Sequence, residues 1–312
     1  MRPAYSVIFF TTASGAGYGL LALLGLVGFN HGPASSFAFG AIAIVIALGL
    51  ISAGLLSSTF HLGRPERAWR AFSQWRSSWL SREGVVSVIT YAPALAFGIV
   101  WLKLIDAPAL IAPLGLLTAL LCAVTVYCTA RIYSSLATIR QWHNALTAPV
   151  YLAFALATGS ALLLAIAAPF GRWQIFLALF TIVSLLAVTV LKALYWRGID
   201  REERTHTMEA ATGLGRIGSV RQWEVPHTAE NFIMKEMGYH IARKHAVKLR
   251  SVVLMLLAAA ALAALLSFVP LVVIPFSVLC AILAGIAAIV ERWLFFAEAQ
   301  HVVSLYYGAA SA

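Results

Sequence analysis

TFHLGRPERAW, residues 59–69, ends a long apolar run in a histidine, a glycine, a proline and several arginines. A histidine takes and releases a proton near neutral pH. Quinone reduction and quinol oxidation each move two electrons and two protons, and the quinone itself dwells in lipid. His61, one turn inside the apolar end and beside a proton-accessible surface, suits that chemistry. It suits equally an interfacial histidine that only bonds a helix-end carbonyl, and the residue type leaves both readings open. Glu83, in WLSREG, opens the next apolar run. A carboxylate in a first helical turn is favoured by the helix dipole, with Ser81 as the expected N-cap. The chemical reading makes Glu83 a second proton acceptor, brought near His61 by the chain reversal between the two runs. Arg131 and Tyr133 close the fourth run at the same depth. Arg131 either polarises such a site, as Arg64 would, or snorkels. Tyr133 either lines the site or belongs to the aromatic belt.

The same stretch reads well as a helix stop. Gly63 stands where a left-handed cap would fall, and Pro65 cannot continue the helix. Pro65 is also suited to the first position of a new helix. Trp69, Phe72 and Trp79 would then share one face and Arg67, Arg70 and Arg76 the other, as in a short helix lying in the membrane interface. That reading accounts for the arginines and tryptophans but not for His61.

These residues need elements to hold them. Of the 312 residues, 61% are hydrophobic and 11% are charged, and mean hydropathy is +0.87. Soluble domains carry about 25% charged residues, so the chain is an integral membrane protein. A helical span needs about 20 mostly apolar residues. Eight runs qualify, at 5–28, 38–61, 84–102, 108–130, 146–168, 173–193, 251–269 and 273–296. They are continuous rather than alternating, which points to helices and not to a barrel. The fold class is all-α, with eight transmembrane helices in two four-helix bundles. Residues 1–145 form the first, with the candidate site, and residues 146–312 the second. The first run is too long for a signal-peptide core and is expected to be an uncleaved span.

Eight spans place both termini on one side, with loops 62–83, 131–145 and 196–250. That side holds nearly every Lys and Arg, including ten basic residues from Arg197 to Arg250, whereas the opposite loops hold only Lys103 and Arg172. The positive-inside rule makes the basic side cytoplasmic. The net charge of +10 therefore records topology. Nucleic-acid binding would need aromatics stacked on a basic soluble surface, which the sequence lacks. Ionisable residues gather at the cytoplasmic span ends, at His61, Glu83, Arg131, Lys192, Glu291, Arg292, Glu298 and His301. The span centres are read as free of charge, which disfavours ion transport. Loop 196–250 is too long for a simple connector. Its Trp223, Phe232, Met234, Met237 and Tyr239 predict an ordered segment that rests against a partner.

Metal and nucleotide chemistry find little support. Cys122, Cys128 and Cys280 lie inside apolar runs with no metal spacing, so no iron–sulfur cluster is expected in this chain. The eight histidines sit in loops or at span ends and form no facing pair, so no haem is expected. Gly213–Gly218, GLGRIG, matches a dinucleotide fingerprint, but lacks its strand and helix context and reads as a chance match.

Taken together, HLGRPERAW, LSREG, RIYSS with Trp142 downstream, and Thr147–Pro149 resemble the membrane anchor subunit of the dimethyl sulfoxide reductase family. The resemblance covers most of the chain. It implies an anchor in the bacterial inner membrane for a molybdopterin catalytic subunit and an iron–sulfur subunit. It also implies electron exchange with a quinone, menaquinone or ubiquinone, and no haem. The family's quinol-site histidine falls on His61 and its acidic residue on Glu83. Loop 196–250 is longer than in the bacterial reductase anchors, and RIGSVRQWEVPHTAENF resembles the branch that anchors sulfite-oxidising enzymes. Both directions of electron flow therefore stay open. Two rival readings are a transporter, which predicts polar breaks near the midplane, for which only Ser14–Gly19 and Ser57–Thr59 could serve, and a structural anchor with no quinone site of its own.

Overall fold

The computed structural model describes residues 4–32, 34–60, 62–172, 174–202, 205–224, 241–309 and 311. Its main elements are α1 (Tyr5–His31), α2 (Phe37–Thr59), α3 (Trp79–Trp101), α4 (Ile111–Ser134), α5 (Thr147–Ala167), α6 (Gln174–Arg201), the short α7 (Met208–Thr212), α8 (Ile241–Leu266) and α9 (Val273–Ala297). All of these except α7 contain stretches long and apolar enough to span a membrane, eight in total. The described residues form no sheet, only isolated bridges at Ile139–His301 and Thr207–Ser311. The fold is thus all-α and multi-pass.

α1 packs against α2, α4 and α5, and α5 in turn packs against α6 and α9; α8 pairs with α9 and α6. Bilayer lipid supplies no hydrophobic drive between helices, so close packing must hold them together, and small residues allow it. A Cβ added to Gly19 would strike the Ala155 carbonyl, and one added to Gly159 would strike the backbone at Gly19 and Leu20. Gly25 and Gly115 join α1 to α4 in the same manner. α1 and α5 are accordingly the most deeply buried spans.

Three boundaries differ from expectation. α3 starts at Trp79 because the N-cap is Ser78, whose hydroxyl accepts from the Ser81 amide; the Ser81 hydroxyl donates instead to the Ala71 carbonyl. α6 runs on to Arg201 rather than ending near 193. Its polar last turns hold because Arg140 Nη1 donates to the Ile199 carbonyl at 3.1 Å and Arg250 pairs with Asp200 at 2.7 Å. α8 likewise starts at Ile241, ahead of its apolar run. The long loop is correspondingly shorter. Within it, Gly213 (φ +70°) closes α7, and Leu214–Arg216 form a single 3-10 turn. Trp223 is exposed, while Phe232, Met234, Met237 and Tyr239 lie outside the described residues.

The interfacial helix after α2 is a 3-10 helix, Pro65–Phe72, with Pro65 in its first turn. Trp79 does not belong to it, since that residue begins α3. Gly63 is not a left-handed cap, because it is absent from the positive-φ glycines of the chain. The α2 helix ends instead at Phe60, in a right-handed conformation.

Candidate functional site

Glu83 lies four residues past the start of α3, beyond the first turn, and the first-turn dipole therefore does not account for it. Its side chain is buried, at 5% exposure. Thr129 Oγ1, on α4, donates to Glu83 Oε1 at 2.5 Å. The same hydroxyl lies 3.1 Å from its own helix's Thr125 carbonyl. Glu83 makes no ion pair among the described residues. A carboxyl group inside a span without a countercharge is costly unless it serves chemistry.

Antiparallel packing of α3 on α4 sets this geometry. Residues i and i+4 share a helix face, so Trp79 stands one turn from Glu83 toward the helix start. The guanidinium of Arg131 lies 5.1 Å from the Trp79 ring centre and that of Arg82 4.3 Å. Arg131 Nη1 reaches Ser134 Oγ at 3.4 Å, whereas its buried Nε has no hydrogen-bond partner among the described residues. Arg131 is thus held beside the mouth of the site by an aromatic face rather than by an acid. Arg64 is exposed and makes no ion pair among the described residues. His61 lies outside the described residues.

Tyr133 shares the Thr129 face of α4 but sits in a cluster of rings. It stacks on Tyr151 at 5.9 Å and meets Trp142, Phe295 and Phe296 edge-on at 5.1–5.5 Å. The loop after α4 locks this cluster, since Trp142 Nε1 donates to the Phe295 carbonyl at 2.8 Å and Tyr195 to the Gln141 carbonyl at 2.7 Å. Tyr133 therefore joins the two halves of the chain and is more than a residue of the aromatic belt.

A second polar centre lies behind that cluster. Lys192 Nζ on α6 pairs with Glu291 Oε1 on α9 at 2.6 Å, and neither side chain is exposed. Arg292 Nη2 stands 3.5 Å from Glu291 Oε2, and its guanidinium lies 3.5 Å from the Tyr151 ring centre. Hydropathy alone puts Lys192, Glu291 and Arg292 at span ends. Because α6 continues to Arg201 and α9 to Ala297, Lys192 is about 14 Å and Glu291 about 9 Å from those ends along the helices. Three ionisable groups thus occupy the bundle interior, inward of the helix ends.

A narrow cleft is lined by one residue of each centre, Thr129 and Arg292. Thr129 lines it from α4, Tyr18 from α1, Tyr151 from α5 and Arg292 from α9. Its free volume is about 20 Å³, room for one water molecule. Sequence reasoning missed Thr129, Lys192, Glu291, Arg292 and Tyr151 as site components. For the charged three a signal existed, since charges inside apolar runs mark function by default. For Thr129, one of many span threonines, there was none.

Comparison with known proteins identifies the family. The family model of the DMSO reductase anchor subunit (DmsC) matches residues 1–298. A sulfite dehydrogenase subunit of Allochromatium vinosum is 35% identical over 338 aligned positions, covering 98% of this chain and 99% of that protein. The chain belongs to the DMSO reductase anchor subunit family and is a membrane anchor of an oxidoreductase complex.

Proposed function

We propose that this anchor exchanges electrons between the membrane quinone pool and a partner iron–sulfur subunit, which in turn serves a molybdopterin catalytic subunit. The observation that carries the reading is Glu83, a buried carboxyl group held by a single hydroxyl, near the basic end of the bundle. In the oxidising direction a quinol gives two electrons to the partner's iron–sulfur centre and two protons to the chain. Glu83 takes one proton and His61 the other, and both pass to the basic, cytoplasmic side. Reduction of a quinone runs the same steps in reverse. Arg131 and Arg64 keep the mouth positive, and Tyr133 forms the inner wall. The resemblance to a sulfite dehydrogenase subunit favours delivery of electrons from a cytoplasmic oxidation into the quinone pool, at the inner membrane of a bacterium.

The test is quinol-dependent electron transfer through the intact membrane complex carrying His61→Ala or Glu83→Gln. General acid–base roles are worth about 10²–10⁴-fold, so each variant should lose at least about 10²-fold of turnover while the subunits still copurify. Full turnover in both assembled variants would leave the chain a structural anchor.

A further inference from the structure

The Lys192–Glu291–Arg292 centre has no part in the proton exchange described above, yet it is built toward a ligand. Lys192 engages Oε1 of Glu291 at 2.6 Å, which leaves only Oε2 for Arg292, at 3.5 Å from Nη2. Two cations share one anion, so the buried group carries a formal charge of +1. Arg292 is 3% exposed, and its Nε and Nη1 have no hydrogen-bond partner among the described residues. The hydroxyl of Tyr151, a residue 4% exposed, has none either. Buried donors are almost always satisfied, and leaving them unpaired costs more than the net gain from a typical bond. Both side chains line the cleft that Thr129 also lines. Donors with positive charge and a carboxyl-bound hydroxyl around one cleft describe a place for an oxygen acceptor.

The cleft also has a way in. Thr12, Gly15 and Ala16 of α1 line it and are only half-buried. A Cβ added to Gly15 would meet nothing within 4 Å. Gly15 stands near the middle of the span Tyr5–His31, so an opening there would meet lipid rather than water. The cleft has room for one water, and a ring must part α1 from α9 to enter.

Resting on the proposed quinone reaction, the geometry points to Arg292 and Tyr151 as the donors to one ring oxygen of the quinone, which enters laterally past Gly15. Glu83, through Thr129, then exchanges a proton with the opposite oxygen, and the proton of the first oxygen goes to His61 as in the proposed reaction. Lys192 and Glu291 are positioning residues that fix the arginine.

The experiment compares Tyr151→Phe, Gly15→Leu and Glu83→Gln in the intact complex, with a long-tailed menaquinol and a short-chain naphthoquinol as substrates. Tyr151→Phe removes a hydroxyl that bonds nothing among the described residues, and Gly15→Leu points into open space, so both should assemble. One lost hydrogen bond to a bound ligand is worth roughly ten-fold. Tyr151→Phe should therefore raise KM for both quinols by about that factor, whereas Gly15→Leu should raise it for the long-tailed quinol and spare the short one. Wild-type KM values in Tyr151→Phe and Gly15→Leu, with turnover still lost in Glu83→Gln, would overturn this assignment and leave the quinone reaction standing. Wild-type behaviour in all three would overturn both.

Discussion

At the scale of single residues, the account rests on buried polar groups and their number of partners. Thr129 is the sole hydrogen-bond partner of Glu83 among the described residues. Thr129→Val keeps the shape and deletes the bond, so quinol turnover in the complex should fall by about ten-fold, less than the loss in Glu83→Gln. An equal loss in both would mean that the hydroxyl and the carboxyl group act as one unit, and full turnover in Thr129→Val would show that the bond does not serve the reaction. Lys192 and Glu291 make a different case. Removing one member of a buried pair strands the other and costs about 3–5 kcal/mol. Lys192→Met leaves Glu291 to Arg292, 3.5 Å away, whereas Glu291→Leu strands two cations. Glu291→Leu should therefore lower the denaturation midpoint of the purified chain further than Lys192→Met does; equal midpoints would contradict the shared anion. Glu83 could be picked out in the sequence because few carboxyl groups stand at the edge of an apolar run. Its partner could not, because Thr129 arrives from 46 positions away on a face that only the packing of α3 on α4 selects.

At the scale of elements, the glycines of α1 and the loop after α4 decide how the spans meet. Gly19 and Gly159 face one another without room for a side chain, so Gly19→Leu should separate α1 from α5. Its measure is loss of folded, monodisperse chain after detergent extraction, and normal yield would show that the contact is dispensable. The 3-10 helix Val302–Tyr307 is capped by His301, whose Nδ1 accepts from the Val303 amide at 3.0 Å, and is docked on the loop after α4 by the Val302 amide, which donates to the Thr138 carbonyl at 3.1 Å. Burial holds the His301 imidazole below its ordinary value of 6.5. The unfolded segment therefore binds more protons than the docked one, and docking weakens as pH falls below about 6.5. Hydrogen exchange at Val302–Tyr307, corrected for intrinsic rates, should quicken between pH 7.5 and 5.5 in wild type and lose this trend in His301→Asn. The existence and type of these elements were legible because eight apolar runs are long and unbroken. Their ends were not. α3 begins on the cap of Ser78, and α6 is carried past its apolar run by Arg140 and Arg250 from distant segments, contacts that hydropathy does not contain.

For the whole molecule, the distribution of charge sets orientation. Lys103 and Arg172 face the side opposite the basic loops. With the three native cysteines buried, Arg216→Cys should label only from the cytoplasm and Lys103→Cys only from the other side. The reverse pattern would invert the topology. The same asymmetry places Glu83, Arg131 and the ring cluster near the basic end of the bundle, where the proposed reaction needs the partner's electron-carrying centre. Family membership accounts for the anchor role, and the buried carboxyl group carries the proposed chemistry. The interior charges were hidden because Lys192 and Glu291, far apart in the chain, both stand near the ends of their apolar runs. Only folding shows that they pair and that Arg292 faces the same cleft as Thr129. Central to the proposed reaction is that the chain itself binds a quinone. The direct measurement is quenching of tryptophan fluorescence by a menaquinone analogue, titrated into the purified chain in lipid nanodiscs, for wild type and Glu83→Gln. Saturable quenching at one quinone per chain, weakened about ten-fold or more in Glu83→Gln, is the result this account predicts. Quenching that rises without saturation and is identical in both proteins would contradict it.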